Sequence, residues 1–171
     1  MNRAELVDLL VRMGETPSDE ADGLSALDHG LQCAFELARA RPDDVGLQLA
    51  GLVHDVGHAF GSPDDHGRAG AACVRDALGD RVASLVEAHV PAKRYLVSTD
   101  ESYRARLSET SVHSLELQGG ALGPGDVAAF ASSPHAADAV VLRRADDDAK
   151  VPGRVVPSLE VWVAKLVEFG P

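Results

Sequence analysis

The run from residue 44 to 60, DVGLQLAGLVHDVGHAF, is almost entirely apolar, yet it carries the adjacent pair His54-Asp55. Its length and composition predict a helix buried on most sides, closed by Phe60-Gly61-Ser62-Pro63. An imidazole and a carboxylate inside such a helix are costly, because burial strips both of water. A satisfied His–Asp hydrogen bond is one compensation, and for an isolated dipeptide it is the commoner one. A metal ion is the other, since it compensates both groups at once. A carboxylate beside a neutral imidazole is a hard-to-borderline donor set that suits Fe, Mn, Mg or Zn.

The rest of the chain supplies partners for the metal. His29 falls on a preceding helix, followed by the interior polar residue Gln32, and Asp146 falls on a late helix shortly after VVLRR. These join His54 and Asp55 as a four-ligand set. His66 opens the helix beyond the Pro63 turn, and His89 ends RVASLVEAHV just before Pro91. Each alone reads as a helix-end surface residue. With Asp55 free to bridge, the two complete a second site. His58, one turn after His54, reads either as a residue that orients a ligand or as packing. His113 and His135 read as surface, and Asp147 and Asp148 compete with Asp146 for its role.

Periodicity gives helices elsewhere too. Leu6, Leu9, Leu10 and Met13 share one face of a helix over 3–13. Residues 14–24 are a Gly/Pro/Asp-rich loop, and Ser25 caps a helix running to about Ala40, stopped at Arg41-Pro42. Helices follow at 64–78 and 80–90, broken near Gly79, then a short one in AKRYLVS, two short ones within 99–118, and others at 125–131, 135–150 and 158–168. No segment alternates at period two, there are no repeats, and no linker is long enough to divide domains. The class is all-α.

Charge and composition narrow the partners. A net charge of −11 argues against nucleic acid and against an anionic membrane surface, both of which call for basic patches. Hydrophobic residues make up 45% of the chain but aromatics only 4%, so Leu, Val and Ala must pack the core. Cys33 and Cys73 sit in apolar, Ala-rich stretches without ligand spacing and read as buried free thiols. The N-terminus is too polar for a signal peptide, and no apolar run approaches a membrane span, so a cytoplasmic location is expected.

At these residues the chain resembles a known family. The spacing of His29, His54-Asp55 and Asp146 is the HD-domain pattern, and His66 and His89 are typical of its two-metal members. The segments LDHGLQCA, LVHDVGH, HVPAKRYL, LSETS, LQGG and LRRADDDAKVPG are similar to those of the HD-domain mixed-valent di-iron oxygenases. These cleave the carbon–phosphorus bond of 1-hydroxyalkylphosphonates such as the 2-amino-1-hydroxyethyl compound. The likeness runs from about residue 25 to 155, and implies a single HD-domain helical bundle over 1–171 with its core there.

The resemblance also implies roles. Two iron ions (Fe2+/Fe3+) are expected, one on His29, His54, Asp55 and Asp146, which chelates substrate, and one on Asp55, His66 and His89, which meets O2. Asp55, His66 and His89 are thus the catalytic set. The products are phosphate and a carboxylate. A phosphonate dianion needs positive charge and donors. Lys93, one of only three lysines and one turn beyond His89, fits that need, as do Arg143, Ser111 and Ser114. Two departures touch the substrate's far end. Ala145 stands where the family has Trp, and Asp19 and Asp22 stand where it has the Tyr and Glu that close over the amine. Asp22 is therefore expected to face a cationic amino or N-methylated amino group. The competing readings are an HD phosphohydrolase acting on a nucleotide or other phosphate ester, and a non-catalytic HD module that only binds its ligand.

Overall fold

The computed structural model describes residues 1–18, 21–60 and 65–170, which hold nine α-helices and no strand. The helices are α1 (Arg3–Met13), α2 (Ala26–Ala40), α3 (Val45–Val53), α4 (His66–Thr99), α5 (Glu101–Arg104), α6 (Glu109–Leu117), α7 (Pro124–Ala131), α8 (Ala136–Asp148) and α9 (Leu159–Glu168). A 3-10 turn, Val56–Ala59, joins α3 toward α4. The starts are locally encoded. Asn2 and Glu5 form a reciprocal capping box on α1, and the Ser25, Asp44 and Ser108 side chains each accept a backbone N–H at the head of α2, α3 and α6.

The site is set by how α2, α3, α4 and α8 pack. α2 lies along α3, α4 packs on α3 and α8, and α8 closes against α2. Leu31, Leu37, Leu47, Leu52, Val74, Leu85, Val86 and Leu142 fill the space between them. Two glycines permit the closest approaches. A Cβ on Gly30 would lie 2.5 Å from the Leu52 carbonyl oxygen, so α2 can bring His29 down onto the end of α3 only because that residue has none. A Cβ on Gly57 would overlap the His66 carbonyl and crowd the Gly70 amide. The turn after Asp55 thus presses directly on the first turns of α4.

Two expectations need correction. The apolar run does not form one helix over 44–60: α3 ends at Val53, and His54 and Asp55 occupy the corner before the 3-10 turn. Asp55 has φ −99° and ψ 4°, outside the helical well, so the chain turns a corner at this residue. The stop expected at Gly61–Pro63 lies outside the described residues. Nor does the helix bearing His89 finish at Pro91. α4 breaks at Gly79 (φ 81°) as expected, but then continues through Pro91 to Thr99. A proline removes one ladder hydrogen bond. Buried Ala92, Leu96 and Val97 beyond it hold the helix on course, the last two packing with Tyr103 and Leu115.

Both cysteines are free, Cys33 fully buried but Cys73 only half-buried. No described helix is long and apolar enough to cross a membrane. Gly57→Ala should destabilise the protein by about 3 kcal/mol, because its Cβ meets backbone that cannot yield without moving α4. A urea midpoint within error of wild type would show that the contact is not tight.

Candidate metal centre

The bundle brings His29, His54, Asp55, His66, His89 and Asp146 together from α2, the α3 corner, α4 and α8. Asp55 is the pivot. Its Oδ2 lies 3.5 Å from His29 Nε2 and 3.3 Å from His54 Nε2, and Asp146 Oδ1 lies 3.2 and 3.7 Å from the same two nitrogens. Its other oxygen, Oδ1, lies 3.6 Å from His66 Nε2 and 3.7 Å from His89 Nε2. Donors about 2.0–2.2 Å from a common ion sit about 2.8–3.6 Å apart at octahedral or tetrahedral angles. Both groups of atoms are close to that spacing, and one carboxylate faces both.

The imidazoles are oriented from behind. His29 Nδ1 donates to the Ala149 carbonyl at 2.9 Å, His54 Nδ1 to Gly51 at 2.8 Å, and His89 Nδ1 to Val86 at 2.6 Å. Each bond fixes the tautomer that leaves an Nε2 lone pair facing inward, the arrangement metal-binding histidines use. His29 Nε2, His54 Nε2 and Asp146 Oδ1 are fully buried and have no hydrogen-bond partner. Buried polar atoms are rarely left so, and a cation among them accounts for all three. His66 Nε2 and His89 Nε2 face each other at 2.9 Å. The donor set fits a metal centre.

The electrostatics agree. Burial opposes protonation of His54, but Asp55 and Asp146 outweigh it and raise the group to about 9. His29 is raised the same way against its burial, chiefly by Asp146. Burial favours the neutral acids, yet Asp55 is held well below the usual carboxylate range by His54 and His29, and Asp146 by Arg143 and His54. His89 is pushed down by burial and by the neighbouring His66 and His54. The two carboxylates thus stay ionised and pull positive charge into the centre.

The remaining sequence candidates fall into place around this centre. Asp146, not Asp147 or Asp148, faces the histidines; Asp147 turns to Arg143 and Tyr103, and Asp148 is exposed. His58 stacks on His66 with ring centroids 4.0 Å apart, its Nε2 3.8 Å from Asp55 Oδ1, at the open edge of the second group. Lys93 is buried and donates to Ser114 Oγ at 2.5 Å and to Gln118 Oε1 at 3.2 Å. Ser111 is buried, and its Oγ accepts from Lys150 Nζ at 3.0 Å. Arg143 is buried between Asp146 and Asp147. His113 is exposed and His135 half-buried. Asp22 is exposed in the turn before α2 and bonds to none of the cluster among the described residues; Asp19 lies outside them. Gln118, Tyr103 and Lys150 were not singled out from the sequence. The LQGG segment and the scarcity of lysine were the available signals for two of them.

The comparisons with known proteins agree with this geometry. Residues 26–118 match the HD domain family. The chain is 36% identical to hydroxymethylphosphonate dioxygenase of Gimesia maris, over 92% of this chain and 82% of that one. It is 32% identical to the glycine-betaine-forming 1-hydroxy-2-(trimethylamino)ethyl phosphonate dioxygenase of Leisingera caerulea, over 88% of this chain and 83% of the relative. The fold and site define an HD-domain protein, and within that class the chain belongs to the HD-domain phosphonate oxygenase family. It is an oxidative enzyme.

Metal must displace the proton that His54 carries below about 9. The sign follows: a raised pKa means protons compete harder at lower pH. Metal affinity should therefore fall by about tenfold per pH unit on going down from that value, measured by competition with a chelator of known protonation. A flat profile between pH 6 and 8 would refute the assignment, those limits being roughly the range over which imidazoles compete.

Proposed function

We propose that the chain uses O2 and two iron ions to cleave the carbon–phosphorus bond of a 1-hydroxyalkylphosphonate, releasing phosphate and a carboxylate. C1 rises from the alcohol to the carboxyl level, and O2 supplies one oxygen to each product. The observation that carries this reading is Asp55, whose two oxygens face two separate groups of inward-turned ligand atoms. The dioxygenase relatives support it.

In this reading His29, His54, Asp55 and Asp146 hold one iron, and Asp55, His66 and His89 the other. The irons, when bound, supply O2 activation and a seat for the substrate's hydroxyl and phosphonate oxygens. The chain does the rest. Lys93, one turn beyond His89 and tied to Ser114 and Gln118, brings a buried positive charge to the phosphonate. Ser111, Ser114 and Arg143 add donors around it. Asp22 favours a cationic amino or N-methylated amino group at the far end. Because it is exposed, water and salt screen that attraction, and the preference it gives is about threefold, in the range of an exposed ion pair.

Asp55→Asn should lose most of the bound iron and all activity, whereas His66→Ala should lose mainly one ion of the two. Two irons retained by Asp55→Asn, counted by metal analysis, would show that this carboxylate does not bridge.

Lys93→Met should keep its iron but bind substrate about 10- to 150-fold more weakly, the loss expected for a buried charge-assisted contact. An unchanged KM would take Lys93 out of the site.

Hydroxymethylphosphonate, 1-hydroxy-2-aminoethylphosphonate and its N-trimethyl analogue should each release one phosphate per O2 consumed. The cationic pair should lead, and Asp22→Asn should erase that lead. Phosphate released under strict anaerobiosis would replace the oxygenase with a phosphohydrolase.

A further inference from the structure

Asp147 follows Asp146 on α8 and has no part in the reaction proposed above, yet three side chains meet on its carboxylate. Arg143 reaches both oxygens, through Nη2 to Oδ1 and through Nε to Oδ2 at 3.3 Å. The Tyr103 hydroxyl donates to Oδ2 at 2.7 Å and accepts from Arg143 Nε at 3.1 Å. Lys150 Nζ lies 3.5 Å from Oδ1. Arg143 and Tyr103 are buried and Asp147 is half-buried, so these contacts are shielded from solvent far more than a surface ion pair.

Two of the three partners reach onward to other side chains. Arg143 Nη1 donates to Asp146 Oδ2 at 2.5 Å, which turns Asp146 Oδ1 toward His29 and His54. Lys150 Nζ donates to Ser111 Oγ at 3.0 Å, and the Ser108 hydroxyl donates to the same oxygen at 3.0 Å. With both lone pairs of Ser111 taken, its own hydrogen is left to donate to something else. Tyr103, Ser111, Asp147 and Lys150 also line a cavity of about 510 Å3 together with Arg106 and Arg144. In a chain of net charge −11, that wall gathers three cations, set against Asp147 and the exposed Asp148.

We infer that Asp147 is a positioning residue that sets the metal-facing carboxylate Asp146 through Arg143 and the oxyanion-facing hydroxyl of Ser111 through Lys150. The inference rests on the proposed function for the identity of the oxyanion as a phosphonate or its phosphate product. The plainer account is an Arg–Asp pair four residues apart that merely steadies α8. The two accounts differ in what they do to anion binding.

The test titrates orthophosphate by calorimetry into the iron-loaded wild type, Asp147→Asn and Tyr103→Phe, with iron content and melting temperature measured for each. Asp147→Asn should keep its iron, bind orthophosphate about tenfold more weakly, and raise KM for the phosphonate by a similar factor. Tyr103→Phe, which removes one partner from Asp147 and one from Arg143, should move both quantities about threefold in the same direction. A lower melting temperature with unchanged orthophosphate affinity in both variants would reduce the network to helix stabilisation and overturn the inference. If Asp147→Asn does not fold, Tyr103→Phe decides the matter. The titration needs no turnover, so a wild type that consumes no O2 would sink the oxygenase reading without touching this result.

Discussion

One carboxylate shared between two groups of imidazole nitrogens is the constraint that the bundle serves. Asp55 can face both groups only if α2, the end of α3, α4 and α8 come within about one ligand edge of each other. Small residues make that approach possible. Gly30 lets α2 rest on the Leu52 carbonyl, and Gly57 lets the turn after Asp55 rest on the start of α4. Large aliphatic side chains pack around most of the centre, leaving the edge beside His58 open, and their low polarity makes each remaining charge matter.

The break at the end of α3 follows from the same need. Asp55 sits at the corner this break makes. At a corner its two oxygens are free to look toward α2 and α8 on one side and toward α4 on the other. α4 balances this by running long. It carries His66 at its head, then breaks at Gly79, and its second half carries His89 and, one turn further on, Lys93. Its passage through Pro91 is the cost of that spacing, met by the apolar contacts of Leu96 and Val97.

Behind the inward-facing atoms lies a layer of bonds made mostly by backbone carbonyls and by α8. Ala149, Gly51 and Val86 hold three imidazoles by Nδ1. Gln32 bonds both ways with Val151, which pins the segment that follows α8 against α2. Arg143 and Asp147 then tie the metal-facing side of α8 to Tyr103, Lys150 and Ser111. The inward-facing imidazoles and carboxylates, Ser111, Lys150 and their supports thus form one connected set of polar contacts in an otherwise aliphatic interior.

The amino-acid sequence on its own determined the helical class, most helix starts, and five of the six residues that converge, with the sixth narrowed to the run Asp146 to Asp148. Those are local matters: caps and 3.6-residue periodicity act within a few residues, and a buried ionisable pair betrays itself against an apolar run. It placed the end of α2 at Ala40 but not where the helix before His54 and the helix bearing His89 stop. Val53 and Pro91 were misread because an end depends on what packs against the next turn, Gly57 on α4 in one case and Leu96 and Val97 on Tyr103 in the other. Nor could it separate Asp146 from Asp147 and Asp148, since consecutive residues on a helix point about 100° apart and only the position of α8 against α2 and α4 says which carboxylate meets His29 and His54. That choice, like the placing of Lys150 on Ser111, belongs to contacts between residues 39 to 120 positions apart, whose geometry exists only once the bundle has closed.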